Sequence, residues 1–411
     1  MAEWKEYTVA DVISTVIDYR GKTPKKLGGD WSDSGYRALS AKNIKTGKIV
    51  QPDSIRYVSE DMYRCWMKEE IQKEDILITS EAPFGQIYYW DSDEKIVLSQ
   101  RLFAVRINQQ FYPKYIYFYM TSSFFQTELD GRATGTTVVG LRQPELLKCK
   151  IFAPDYQEQK RIADTLWCLE QKINNNEAIN NNLEQQAKAL FKSWFIDFEP
   201  FGGVQPPEMK FVPLQELCKV VTKGTTPTTL GKPFTSSGIN FIKAESILDS
   251  HSIDSSKFAF IDEETNALLK RSVIKANDIV FTIAGTLGRF AMVDNSVLPA
   301  NTNQAVAIIR PDENKVTPAY LYSFFIGNWH NEYYSKRIQQ AVQANLSLTT
   351  IKSLPIAVLS KTTMNNYDEL VSPLFALMKG NEEENRRLSE LRDTLLPKLM
   401  SGELDVSNIE L

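Results

Sequence analysis

Few residues in this chain have both the type and the spacing needed to break or form a bond. There are two histidines, His251 and His330, each isolated, so a catalytic triad or a zinc site lacks parts. Asp155, Glu158 and Lys160 are the residue types of a metal-dependent nuclease, whose carboxylates hold a divalent ion from separate strand segments. Here Asp155 and Glu158 stand three apart at the head of a predicted helix, the spacing of a capping box with Asp155 as N-cap and Glu158 at the third helical position. Asp312 to Lys315 reads as a polar turn. No Gly-x-x-x-x-Gly-Lys-Ser/Thr run and no Gly-x-Gly-x-x-Gly after a strand is present, nor an Asn-Pro-Pro-aromatic or Asp-Pro-Pro-aromatic tetrapeptide of the amino-methylating enzymes. The four cysteines, Cys65, Cys149, Cys168 and Cys218, form neither a Cys-x-x-Cys pair nor a compact disulfide framework and read as reduced, mostly packed thiols. The expectation is a chain with no catalytic residues, no metal ligands and no cofactor of its own.

The elements that position the remaining polar residues come in two copies. At 411 residues the chain is long enough for two or three domains, and 43% hydrophobic with 24% charged residues is the composition of a folded, soluble protein. A net charge of -4, from 47 basic and 51 acidic residues, argues against non-specific coating of nucleic acid but leaves room for a local basic face. No run of 18 apolar residues occurs and Met1 to Glu6 lacks the start of a signal peptide, so a cytoplasmic location without a membrane is expected. The second half restates the first at an offset of about 203 to 205 residues. Arg20 to Pro24 answers to Lys223 to Pro227, Gly35 to Ile44 answers to Gly238 to Ile247, and Asp75 to Thr79 answers to Asp278 to Thr282. Gly85 pairs with Gly288, Gln100 with Gln304, and Tyr115 to Tyr117 with Tyr320 to Tyr322.

Each half opens with short β-branched runs between Gly, Pro and Asn, then closes with a heptad pattern. In the first half the seam is Ile162, Leu166, Leu169, Ile173, Asn176, Asn180, Leu183, Ala187, Leu190 and Trp194. In the second it is Leu370, Leu374, Leu377, Asn381, Glu384, Leu388, Leu391 and Leu395, with Asn381 in the place of Asn176. A helix from Gln157 to Trp194 would be about 57 Å long at roughly 1.5 Å per residue. The predicted class is α+β, with two pseudo-symmetric mixed α/β domains separated by two long antiparallel coiled-coil-like helices. The predicted boundaries are 1–154 and 211–365 for the domains, 155–199 for the first helix, 200–210 for a Pro/Gly linker, and 366–411 for the second helix and tail.

The repeat, the paired helices and three stretches of sequence resemble the specificity subunit of Type I restriction-modification systems along the whole chain. The stretches are QEQKRIA at 157–163, LFKSWFIDF at 190–198 and RDTLLPKLMSG at 392–402. The start of the second helix, NYDELV at 366–371, departs from that pattern. The resemblance implies two target-recognition domains, each reading half of a bipartite site in double-stranded DNA across a fixed spacer. It implies two adenine-N6 methyltransferase subunits docked on the helices, and restriction subunits in the full complex. S-adenosylmethionine, ATP and Mg²⁺ would then belong to the partners.

A base reader needs polar and basic side chains on loops that recur in both halves. Arg20, Lys22, Lys25 and Lys26 in the first half and Lys223, Thr225, Thr226 and Thr228 in the second meet that description, as do Arg37, Lys42, Asn43 and Lys45 against Lys243 and Ser246. Arg132, Thr134 and Thr136 on one loop, and Gln339, Gln340, Gln343 and Asn345 in a cluster, are further candidates, since amides pair bidentately with adenine. Two other classes fit parts of the sequence. A coiled-coil scaffold that binds only proteins would explain the heptads but not the duplicated loops, and a single-chain restriction-methylation enzyme would need the motifs that are missing.

Overall fold

The duplication read in the sequence is a duplication of strand order. In a computed structural model, which describes residues 4–134, 139–338 and 345–404, the chain divides into two compact units. The first holds Met1–Asn176 and Glu383–Leu411, the second Glu177–Glu382. The first unit carries an antiparallel four-stranded sheet in the order Ile13–Asp18, Leu102–Ile107, Ile76–Thr79, Ile87–Tyr89. The second carries the same order in Cys218–Lys223, Val306–Pro311, Ile279–Thr282, Phe290–Met292. A three-stranded sheet is repeated likewise, with Tyr36–Leu39 between Arg56–Val58 and the parallel strand Ile96–Leu98, and Ile239–Ile242 between Ala259–Ile261 and Ala300–Thr302. A short pair closes each unit, Lys5–Thr8 on Lys150–Ala153 and Lys210–Pro213 on Pro355–Val358.

The matched residues explain why the two halves fold alike. Ile76–Thr79 and Ile279–Thr282 are central strands buried along their whole length, as apolar runs between turns should be. Just before each strand a buried aspartate receives a bidentate arginine from the neighbouring strand. Arg106 reaches Asp75 at 2.9 Å through both Nε and a terminal nitrogen, and Arg310 reaches Asp278 at 2.7 Å in the same way. Two charges leave water together here, which is tolerable because the fork geometry satisfies both carboxylate oxygens. Gly35 and Gly238 share left-handed φ values of 119° and 135°, and a β-carbon would fall 2.3 Å from the Val58 carbonyl and 2.6 Å from that of Ile261. No other residue fits either turn.

Two helices of 40 residues, Tyr156–Phe195 and Lys361–Met400, each contribute one segment to each unit. The second starts five residues before the predicted 366. Ser360 caps it by accepting from the Thr363 amide at 3.2 Å, so Thr362 and Thr363, poor helix formers by composition, lie in its first turn. Asp155 caps the first helix, accepting from the Glu158 amide at 2.9 Å, whereas the Glu158 carboxylate turns to Arg161 at 2.6 Å and leaves the reciprocal half of the capping box unmade.

Inside each unit the two helix segments run antiparallel across a polar layer. In the first unit Asn176 donates to Asn385 at 2.8 Å and to Glu384 at 2.7 Å, and Asn385 donates to the Ile173 carbonyl at 3.3 Å. The second unit repeats the contact with Asn381 donating to Asn180 at 2.7 Å and Asn180 to the Met378 carbonyl at 3.1 Å. Buried and half-buried amides that satisfy one another in one alignment only fix the register of the pair.

The first-helix seam places Ile162, Leu166, Ile173, Asn176, Leu183 and Ala187 inward, with Leu169 and Leu190 half-buried. The second-helix seam requires correction. Leu370, Leu377 and Leu391, assigned to it from spacing, are 48%, 52% and 46% exposed. Val371, Met378, Asn385 and Arg392 occupy those turns of the seam instead, alternating with half-buried Leu374, Asn381, Leu388 and Leu395, and Met364, Tyr367 and Leu399 extend it at both ends. Two heptad readings share every second position of this helix, and the leucines follow the one that the packing leaves outside.

Candidate nucleic-acid interface

The first unit presents an open cleft of about 570 Å³ at the ends of its four-stranded sheet. Four loops build it. The turn after Ile13–Asp18 brings Arg20, Gly21, Thr23 and Lys26; the turn after Ile76–Thr79 brings Ser80 and Glu81; the turn before Leu102–Ile107 brings Gln100 and Arg101; and Thr134 with Gly140 to Arg142 closes the far side. Four cations therefore face one carboxylate, Glu81, in a chain whose overall charge is negative. Such a cleft concentrates positive potential where an anionic polymer could lie.

Arg20, Lys26 and Thr134 line this cleft, with Lys22, Lys25 and Arg132 beside them in the chain but not in its lining, and they differ in what their side chains are free to do. Arg20 is committed to the scaffold. Its guanidinium forms a fork on Asp18 at 2.9 and 2.6 Å, donates to the Leu141 carbonyl at 3.2 Å and lies 4.9 Å over the Phe103 ring. Lys22 is committed too, donating to the Trp66 carbonyl at 2.8 Å above the Tyr19 ring. Lys26 donates to the Gly21 carbonyl at 2.8 Å from an exposed position, and Lys25 is exposed. Arg132 pairs with Glu128 at 2.8 Å, and Thr134 bridges to Gly140.

The other candidates lie away from this cleft. Arg37 pairs with Glu94, while Lys42 and Lys45 are exposed. Asn43 cannot read a base. It is fully buried, caps the turn through Ser40 and donates to Ser54 at 2.9 Å, so its amide serves the fold. Ser246, its partner in the repeat, is equally buried and bonds to the Lys257 carbonyl at 3.3 Å. Both are polar residues on repeated loops, and the repeat there preserves an internal cap.

In the second unit Lys223 and Thr228 are exposed, Thr225 accepts from Arg271 at 3.4 Å, and Thr226 bonds to Gln304, the counterpart of Gln100. Gly224 is packed so closely that a β-carbon would overlap the Thr302 carbonyl. Lys243 pairs with Glu245 at 2.5 Å. Asn345 is exposed. Thr136, Gln339, Gln340 and Gln343 lie outside the described residues.

Sequence reasoning passed over Glu81, Gln100, Arg101 and Arg142 as contributors to the cleft. The signal was available in the match of Gln100 with Gln304, which marks the same turn in both halves.

Among the described residues, no three or more His, Cys, Asp or Glu side chains are grouped to hold a metal ion, and no helix is long and apolar enough to cross a membrane. His330 is fully buried among Phe281, Phe324, Phe325 and Tyr334, and His251 stacks on Phe290 at 4.1 Å. Cys149 is buried and Cys218 half-buried, and burial pushes both thiols up to about 12; Cys65 and Cys168 are exposed, so half of the cysteines are not packed as expected.

A duplicated mixed α/β unit, repeated helix segments with matching polar layers and a basic loop-built cleft define a two-headed recognition protein. The chain belongs to the Type I restriction modification DNA specificity domain family, whose model matches residues 1–185 and 206–363. Among curated relatives it is 24% identical to the Type I restriction enzyme HindI specificity subunit of Haemophilus influenzae, over 98% of this chain and 100% of that one. It is 25% identical to the MjaIX specificity subunit of Methanocaldococcus jannaschii, over 94% and 87%. The fold is similar to the crystal structure of the Type I restriction-modification system S subunit from M. genitalium, with a TM-score of 0.59 and 17% identity over 97% of this chain and 96% of that one.

Proposed function

We propose that this chain is the DNA-reading subunit of a Type I restriction-modification complex and carries no catalytic site of its own. Each unit reads one half of a bipartite site, and the two long helices set the spacer and dock two adenine-N6 methyltransferase subunits. Restriction subunits would join in the full complex, and S-adenosylmethionine, ATP and Mg²⁺ would be bound by partners. The observation that carries this reading is the basic cleft built from loops of the first unit, on a scaffold whose strand order recurs in the second.

The chemistry follows from placement. Lys26 and Arg142 are exposed at the cleft and suit phosphates, whose contacts align a duplex without reading it. Arg20 and Lys22 hold the loops in place. The purified chain incubated with labelled S-adenosylmethionine and mixed-sequence DNA should transfer no label, and transfer should appear when a cognate adenine methyltransferase subunit is added. Label transfer by the chain alone would sink this reading, and so would a methyltransferase whose site choice ignores the chain.

A further inference from the structure

The two units are alike in backbone but not in what they present at two turns, the one after Ile76–Thr79 and the one before Leu102–Ile107, and at their counterparts after Ile279–Thr282 and before Val306–Pro311. In the first unit the Ser80 amide donates to the Arg101 carbonyl at 2.8 Å and the Leu141 amide to the Ser80 carbonyl at 2.8 Å. In the second the Ile283 amide donates to Ala305 at 2.8 Å and the Leu346 amide to Ile283 at 2.9 Å. These bonds equate Arg101 with Ala305 and, one residue after Ser80 and Ile283, Glu81 with Ala284. Arg101 Nε and Glu81 Oε1 are 2.8 Å apart, so the second unit has alanine in place of both members of an ion pair.

Arg101 also has a backbone that an arginine seldom adopts. Its φ is 62°, in the left-handed region, and Ala305 does not share it. A backbone held in such a conformation is fixed by its surroundings, here by the Ser80 amide and hydroxyl, which both donate to the Arg101 carbonyl at 2.8 and 3.2 Å. The result is a guanidinium that lines the cleft, half exposed, beside a carboxylate one-third exposed.

We propose that the Arg101–Glu81 pair reads one G·C base pair in the half-site of the first unit, and that the second unit has no such contact. This rests on the reading of the chain as a DNA specificity subunit and names the determinant within it. A phosphate contact is the weaker assignment, because the paired carboxylate cancels the pull of the guanidinium on phosphates and would itself be repelled. A G·C edge in the major groove suits both groups: guanine offers O6 and N7 to the arginine fork, and cytosine offers its N4–H to a carboxylate. Where both are alanine, the second unit must discriminate by other side chains, such as Gln304 and Asn345.

The test uses the full complex of this chain with its methyltransferase partner and duplexes carrying its methylated motif, each with one base pair exchanged. The parent complex should require a G·C pair at one position of one half-site. Arg101→Gly, which suits the left-handed backbone and so should not lower the melting temperature, and Glu81→Gln should reduce discrimination at that pair by roughly ten- to a hundred-fold. The other half-site should be read as before. Uniform weakening across all duplexes would make Arg101 a phosphate contact and overturn the proposal, as would unchanged discrimination at every position. A parent complex that methylates no specific motif would instead overturn the functional reading beneath it.

Discussion

At the scale of single residues, type and repeat position say what a side chain could do, and its partners decide whether it is free to do it. Arg20 and Asn43 both looked like readers by type; one is clamped to Asp18 and the other is sealed inside a turn. Arg101 was passed over because nothing in the local sequence announces a left-handed arginine. For histidine, isolation in the sequence argues against a triad but says nothing of the environment of His330. Its burial among aromatic rings pushes the imidazole down to about 3 from an ordinary 6.5, so the folded protein holds it neutral. The unfolded chain takes up that proton below about 6.5, so the stability this site contributes is intact above that pH and is lost progressively towards 3. Urea unfolding should therefore show a loss from this site of about 2 kcal/mol between pH 7 and pH 5, at about 1.4 kcal/mol per pH unit below 6.5. His330→Phe should remove that share of the slope, and identical slopes in variant and parent would show that the site does not titrate in this way.

At the scale of elements, strands bounded by turns and matched across the repeat were legible, as Ile76–Thr79 and Ile279–Thr282 illustrate. The face of the second long helix was not. Leu370, Leu377 and Leu391 keep perfect heptad spacing, and a one-residue turn of the helix separates that reading from the packed one. Spacing cannot choose between two interleaved stripes when both contain leucine; the aromatic Tyr367 and Phe375, packed in the second unit's core, decide it. Substituting aspartate at adjacent positions separates the alternatives. Met378→Asp should cost the chain about 3 kcal/mol by burying an unpaired charge, and Leu377→Asp should change stability by less than about 0.5 kcal/mol. Thermal or denaturant melts of the two variants check this, and the opposite ranking would restore the seam drawn from spacing.

At the scale of the whole chain, the duplication was the most legible feature of all, because it survives in matched pairs such as Asp75 with Asp278 and Asn176 with Asn381 even where the side chains around them differ. The compact units were less so. Sequence drew boundaries where the long helices begin, while the structure divides at Asn176 and Glu382, inside the helices, because each globular part buries apolar faces of one segment from both. A chain organised this way should specify a target in two parts. Long-read methylation mapping of a host that expresses the chain with a cognate adenine methyltransferase subunit tests that claim most directly. The account predicts N6-methyladenine in one motif made of two different short sequences separated by a gap of constant length and free composition, and methylation confined to a single uninterrupted sequence would contradict it.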